Sequence, residues 1–455
     1  MTSVNQTFIE AFSIIMFWNL FKKKTPKQTP NNDKSNFPLI PNKKPAATKN
    51  INIPVSFLER LMPVAQLLTE KEIQQLQITA ASFAPGAIVF NRGTEVDSLI
   101  YIVKGNVFME ADNGSGLEVN ANTFKALYPL SAGKLHYFTA IAGSDVTVIH
   151  ISKTILRKNE GTIAPLNNDL KISEPVKNNP FFKRFYRHFK QGELKTPSFP
   201  DIALQLRKAI QEDCGIADIV KIVNMDPVIS AKLIQVVNSP IYRPLSPISN
   251  CYDAINRLGL TTTRNLVTSF SMNNLIKSEN PLIKKLIQYT WLQSIKVSSI
   301  SYTLAQLTRK VDPDEALLAG LVHNIGVLPI LTFADSLPQG SYQAGDINLC
   351  LNEVQGQIGA VILEKWGFPD NLKQIPLLST DWFTSTTEDI SLNDIVLLAK
   401  YHNVLASPGS TKLPLLITLP AFQKLGNQPL TPEMSLQILD DAKQQIAETM
   451  NFFSN

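Results

Sequence analysis

From residue 196 onward the apolar residues recur at helical spacing and no alternating strand pattern competes with them, so this half of the chain reads as all-α. Asp226-Pro227 supplies an N-cap followed by proline at the first helical position, where the missing N–H is not needed. Ile229, Leu233, Val236 and Val237 then form one helical face, and Asn238-Ser239-Pro240 stops it. Tyr252, Ala254, Ile255 and Leu258 make another face ended by Gly259, after which Thr261 can cap a further helix. Asp312-Pro313-Asp314-Glu315 repeats the start signal, with Glu315 where a capping box places its acid. Leu317, Leu318, Leu321, Val322 and Ile325 follow, and Gly326 is expected to end that helix.

The preceding stretch has a different period. Phe83-Ala84-Pro85-Gly86 turns into Ala87-Ile88-Val89-Phe90, and Asn91-Arg92-Gly93-Thr94 is a second turn. Leu99–Val103 is β-branched and aromatic, Lys104-Gly105-Asn106 leads into Val107-Phe108-Met109-Glu110, Asn113-Gly114 is a hairpin signal, and Val146–Ile151 closes the set. Short strands at this spacing predict a small β-barrel or roll, with residues 66–79 as a leading helix. The expected fold class is therefore multidomain α+β, a small barrel followed by an all-α domain.

The chain length of 455 residues allows two or three domains, and a 44% hydrophobic content supplies more than one core. The expected layout is an apolar segment and flexible linker over 1–54, the barrel over 55–160, a connector over 161–192, a helical domain over 193–385 and its helical extension over 386–455. In the connector, the basic-aromatic run Phe181–Phe189 reads as an amphipathic helix packing on a neighbour rather than an RNA-stacking patch. No apolar run approaches the roughly 20 residues that span a bilayer, which argues against a polytopic membrane protein.

Charge is unevenly placed. Residues 22–49 hold eight lysines against one acid, Asp33, so the rest of the chain carries a small net negative charge out of a total of +5. Nucleic-acid binding by the folded body has no bulk charge behind it. Phe8–Phe21 is aromatic-rich, too short to span a membrane, and followed by Lys22-Lys23-Lys24. It can rest peripherally on an anionic inner membrane, pack on a partner, or precede a true start at Met16 rather than Met1. Cys214, Cys251 and Cys350 show neither a disulfide framework nor a zinc spacing, which favours a reducing, cytoplasmic compartment.

Two resemblances follow from these residues. Phe83-x-Pro85-Gly86-x-x-Val89-Phe90, Gly93, and Asp97-x-x-Ile100-Tyr101-Ile102-Val103-x-Gly105-x-Val107 resemble the cyclic nucleotide-binding superfamily. That family holds a cyclic phosphate with a helix N-terminus, a Gly-Glu pair and an arginine. The matching stretch, Ala126–His136, has neither the pair nor the arginine, leaving Lys134 or His136 as the phosphate candidates.

The helical half resembles the HDOD family, a branch of the HD metal-phosphohydrolases found in bacterial signalling proteins. The resemblance rests on Leu194-x-x-Pro197-x-x-Pro200, Met225-Asp226-Pro227, Val237-Asn238-Ser239, Ala254-Ile255-x-Arg257-Leu258-Gly259, Arg264-Asn265-Leu266-Val267, Leu317–Gly326 with His323-Asn324, Ile358-Gly359-Ala360 and Trp366-Gly367-Phe368-Pro369. A working HD site needs imidazoles and carboxylates converging on one or two metals. By similarity its ligand positions hold Gln293, the doublet His323-Asn324, Gln355 and Lys400, so only His323 keeps a ligand's chemistry. The resemblance therefore implies a regulatory protein that is not an enzyme, has no cofactor and acts on protein partners. Two alternatives remain open: a second-messenger sensor and a divergent phosphohydrolase. Asp226, Pro227, Asn238, Ser239, Arg257, Gly259, Arg264 and Gly326 are its signature residues.

Overall fold

The computed structural model describes residues 53–455 except 113, 160–169, 171, 195–197, 243, 245, 273–274, 276–277, 339, 406–412, 427, 429–435 and 454–455. The expectations for Phe8–Phe21, Lys22–Lys24, the start at Met1 or Met16, and Asn113 fall outside the described residues. The chain divides into two compact units, one of 1–160 with 401–435 and one of 161–400 with 436–455. Of the stretch 386–455, residues 401–435 thus group with the first unit.

The first unit opens with α1 (Val55–Leu58), α2 (Val64–Leu67) and α3 (Glu70–Gln74). The single helix expected over 66–79 is not formed. Leu68 is extended at φ −118°, ψ 142°, and ends α2. Thr69 and Glu72 then close a capping box that starts α3, and Ile78 already belongs to a strand.

Seven strands follow: β1 (Ile78–Phe83), β2 (Ile88–Phe90), β3 (Ser98–Lys104), β4 (Asn106–Glu110), β5 (Gly116–Asn120), β6 (Thr139–Ala142) and β7 (Val146–Ser152). They form antiparallel sheets of order β1-β7-β3 and β2-β6-β4-β5, a β-roll. Leu99, Tyr101, Ile149 and Ile151 are fully buried between sheet and leading helices. Tyr101 keeps its hydroxyl satisfied by donating to the Met62 carbonyl at 3.0 Å.

The second unit is helical. Its elements are α4 (Glu174–Lys177), α5 (Pro180–Lys190), α6 (Asp201–Gln211), α7 (Ile216–Asn224), α8 (Pro227–Val237), α9 (Cys251–Ser271), α10 (Pro281–Thr308), α11 (Pro313–Val322), α12 (Val327–Asp335), α13 (Ala344–Lys365), α14 (Asp370–Lys373) and α15 (Ile375–Leu378). The unit boundary falls inside α16 (Leu392–Leu405); α17 (Pro420–Lys424) lies in the first unit, and α18 (Gln437–Asp441) and α19 (Lys443–Met450) in the second.

Two of the expected helix starts are met. Asp226 accepts from the Val228 and Ile229 N–H groups, and Asp312 from Glu315 N–H at 2.8 Å. Glu315 spends its carboxylate elsewhere, accepting from Asn371 at 2.6 Å. Gly259, at φ 78°, kinks α9 at the expected point. Gly326 does not close a helix: α11 ends at Val322 and Gly326 starts α12 with φ −67°. It is small because a Cβ there would overlap the Gln355 carbonyl oxygen of α13. In α5, Phe181, Phe182 and Phe185 are buried and Phe185 meets Phe333 edge-on at 5.6 Å, as an amphipathic connector should.

One helical run, Pro313–Asp335, is long and apolar enough to cross a membrane by length and composition, contrary to the reading that no such run exists. Of its most apolar window 83% is buried inside the protein, and a core helix passes the same test.

Candidate functional site

By the resemblance, the HD ligand positions fall on four helices, of which α16 straddles the unit boundary. α10 brings Gln293 and Ser294, the turn after α11 brings His323 and Asn324, α13 brings Gln355, and α16 brings Lys400. Contacts tie them together. Ser294 donates its hydroxyl to Asn324 Oδ1 at 2.7 Å. Gly326 sits against the Gln355 backbone. His323 feels the positive charge of Lys400.

The electrostatics at this point oppose a cation. His323 is 7% exposed, and its Nδ1 lies 2.7 Å from the Gly320 carbonyl. A carbonyl can only accept, so Nδ1 carries the hydrogen. Burial, helped by Lys400, pushes the imidazole down to about 3, so it is neutral near pH 7. Lys400 donates from Nζ to the Ser379 carbonyl at 2.7 Å and lies 5.3 Å from the centre of the Trp382 ring. Burial lowers it to about 8.

The residues present do not fit a divalent metal. Three amides, one imidazole and an ammonium offer no anionic oxygen, and hard cations require one. Among the described residues no group of three or more His, Cys, Asp and Glu side chains is placed to hold an ion. Beside Asn324 opens an apolar pocket of about 430 Å³, including open solvent, walled by Met272, Trp291, Leu321 and Leu328.

The signature residues serve local structure. Asn238 donates to the Ile234 and Ile248 carbonyls at 2.8 and 2.7 Å and accepts from Ile248 N–H at 2.8 Å, closing the loop after α8. Ser239 Oγ is buried and unpaired. Arg257 donates to the Tyr242 carbonyl, and Arg264 reaches Asn265 Oδ1 at 3.5 Å. Asp226 with Pro227 starts α8.

Two polar clusters escaped the sequence reading. Asp314, read only as a helix-start residue, is buried and accepts from Tyr242 and Thr262. Lys153 donates to the Gly133 carbonyl in the phosphate-like stretch of the roll. Nothing local marks either one. Of the two residues expected there, Lys134 is exposed, while His136 is 4% exposed and stacked on Phe90 at 3.9 Å. Burial pushes His136 down to about 4, and its Nδ1 has no partner.

Residues 196–378 match the HDOD domain. A curated, uncharacterized protein of Treponema pallidum (strain Nichols) is 24% identical over 192 residues, which is 38% of this chain and 35% of the relative. The match thus spans about a third of that relative's length. A solved structure from Shewanella amazonensis SB2B, provisionally assigned as a metal-dependent phosphohydrolase, is 24% identical with a TM-score of 0.54, covering 62% of this chain and all of that one. At that identity the likeness shows the fold alone. A cyclic nucleotide-binding-like protein from Brucella abortus bv. 1 str. 9-941 is 21% identical, covering 23% of this chain and 94% of that one, with a TM-score of 0.19.

Proposed function

We propose that this protein, which carries an HDOD domain over residues 196–378, is a non-catalytic regulator that acts through protein contacts in bacterial signalling. The observation behind this reading is the donor set at the HD ligand positions on or beside α10, α11, α13 and α16. Gln293, Asn324 and Gln355 are neutral amides, Lys400 is a buried cation, and His323 commits Nδ1 to the Gly320 carbonyl. Such a set cannot hold a metal, lower the pKa of a bound water or steady the charge that builds on phosphorus during hydrolysis. What remains is a rigid helical body able to present surfaces. A cytoplasmic location fits the free cysteines, two of them buried.

The test is metal content and thermal stability of the purified full-length chain with Mn²⁺ and Fe²⁺, alongside hydrolysis of a phosphodiester substrate. The expected result is substoichiometric metal, no saturable shift in Tm and no turnover. Stoichiometric metal with metal-dependent turnover would overturn the reading and make the protein a divergent phosphohydrolase. A shift with a cyclic mononucleotide or dinucleotide, at about 2.7 kcal/mol for ligand at 100 times Kd, would make it a second-messenger sensor instead.

A further inference from the structure

The first unit holds a set of contacts that the HD-like site does not use. Residues 413–426 pack within this unit, with Leu419 and Ala421 fully buried and Phe422 1% exposed. They lie on the stretch Gly133–Tyr137 of the β-roll. The Tyr137 hydroxyl donates to the Gln428 carbonyl at 2.7 Å. The Tyr137 ring meets Phe422 nearly edge-on at 5.4 Å. A Cβ added at Gly133 would overlap the carboxamide of Gln423, which would have to leave its place. That carboxamide also donates to the Ile417 carbonyl and so holds its own segment in shape.

The roll pins the same stretch to itself. Lys153 donates to the Gly133 carbonyl, His136 N–H donates to the Thr94 carbonyl at 2.8 Å, and Gly93 N–H donates to the His136 carbonyl at 2.8 Å. The stretch is thus fixed to the barrel by one set of groups and offers Gly133 and Tyr137 to another.

We infer that the Gly133–Tyr137 face of the roll is a peptide-docking site whose occupant is the chain's own segment of residues 413–426 with Gln428. This is the stretch where the resemblance to the cyclic nucleotide-binding superfamily places a cyclic phosphate. Here it receives an aromatic ring, a carboxamide and a backbone carbonyl. A small molecule reaches the buried Gly133 only after the segment has lifted, so the roll responds to release or capture of a peptide. The inference is independent of the non-catalytic reading of the HDOD domain.

Amide hydrogen exchange on the full-length chain tests it. Gly133→Ala forces a methyl group into the Gln423 carboxamide. Exchange of the Thr418, Leu419, Gln423 and Leu425 amides should then rise about tenfold while β3 and β7 stay protected. In a Gln423→Ala background, where the overlapping atoms are gone, Gly133→Ala should have no effect. Tyr137→Phe, which cannot clash, removes only the bond to Gln428 and should give a smaller rise confined to the segment. Unchanged protection of the segment in Gly133→Ala and Tyr137→Phe overturns the inference. So does a rise shared equally by β3 and β7, which would make the segment an inseparable part of the barrel.

Discussion

Tyr242 donates its hydroxyl hydrogen to Asp314 Oδ1 at 2.6 Å, linking the loop after α8 to the first turn of α11 across 72 positions of sequence. Thr262 of α9 donates to the other carboxylate oxygen at 2.7 Å. Tyr302 of α10 lies close enough to Tyr242 to act on it electrostatically. The carboxyl is 8% exposed, and burial pushes it above its ordinary range while the two hydroxyl donors pull it back. The amino end of α11 offers further compensation for the charge. Three helices and one loop thus share one buried polar knot.

Cutting that knot should be costly. Asp314→Ala leaves two buried hydroxyls without their acceptor and should lower stability by about 2–4 kcal/mol, with Tyr242→Phe costing about 1–2. Urea unfolding reads both. The pH dependence has a definite sign. The folded carboxyl sits above its unfolded value, so its contribution is full below the ordinary carboxylate range and is lost as pH rises through the folded value. Asp314→Asn should flatten that slope, and an unchanged slope would count against the assignment.

Lys400 should give the protein an alkaline gain in stability. Its ammonium is lowered from 10.5 to about 8 by burial, so the unfolded chain binds more protons between those values and stability rises with pH there. The rise is on the order of 3 kcal/mol. Below about pH 8 the cost of the buried charge is present in full. Lys400→Met, compared with the parent chain by urea midpoint across this window, should lose the rise.

His323 should remain a neutral imidazole well into acid. Its folded value near 3 lies below the ordinary 6.5, so its contribution to stability is full above 6.5 and is lost as pH falls toward 3. Its imidazole proton resonances should therefore be flat between pH 5 and 8 in NMR, with the hydrogen on Nδ1. A midpoint near 6.5 would mean that the helix end opens to water.

Two backbone devices make separate predictions. Gly259→Ala places a Cβ at φ 78° and should cost about 1–2 kcal/mol, because L residues resist the left-handed region. The midpoint of thermal or urea unfolding checks it.

Asn238→Ala removes three hydrogen bonds that close the loop between α8 and α9, and should cost about 1–3 kcal/mol. Asn238→Asp keeps the acceptor for Ile248 N–H but loses both donors, so it should fall between the parent and the alanine variant.

The sequence by itself determined what depends on neighbours along the chain. Asp226 and Asp312 cap helices because their carboxylates reach N–H groups only two or three residues ahead. Strands β2, β3, β4 and β7 were legible from β-branched runs between glycine turns. That positions 324 and 400 hold an amide and a lysine is likewise chemistry fixed by residue identity. Only the tertiary structure decided what depends on distant partners. Gly326 read as a helix end but is small because α13 passes against it. Glu315 had a local partner to hand, yet its carboxylate accepts from Asn371. Residues 66–79 carried a helical pattern, but pairing of Ile78–Phe83 with β7 drew their end into a sheet. Asp314, Tyr242 and Thr262 are unremarkable where each stands in the sequence and become a buried knot only when three helices meet. Short-range hydrogen bonds leave a local trace in the order of residues, whereas close packing and shared buried polar groups are set by which segments the fold brings side by side.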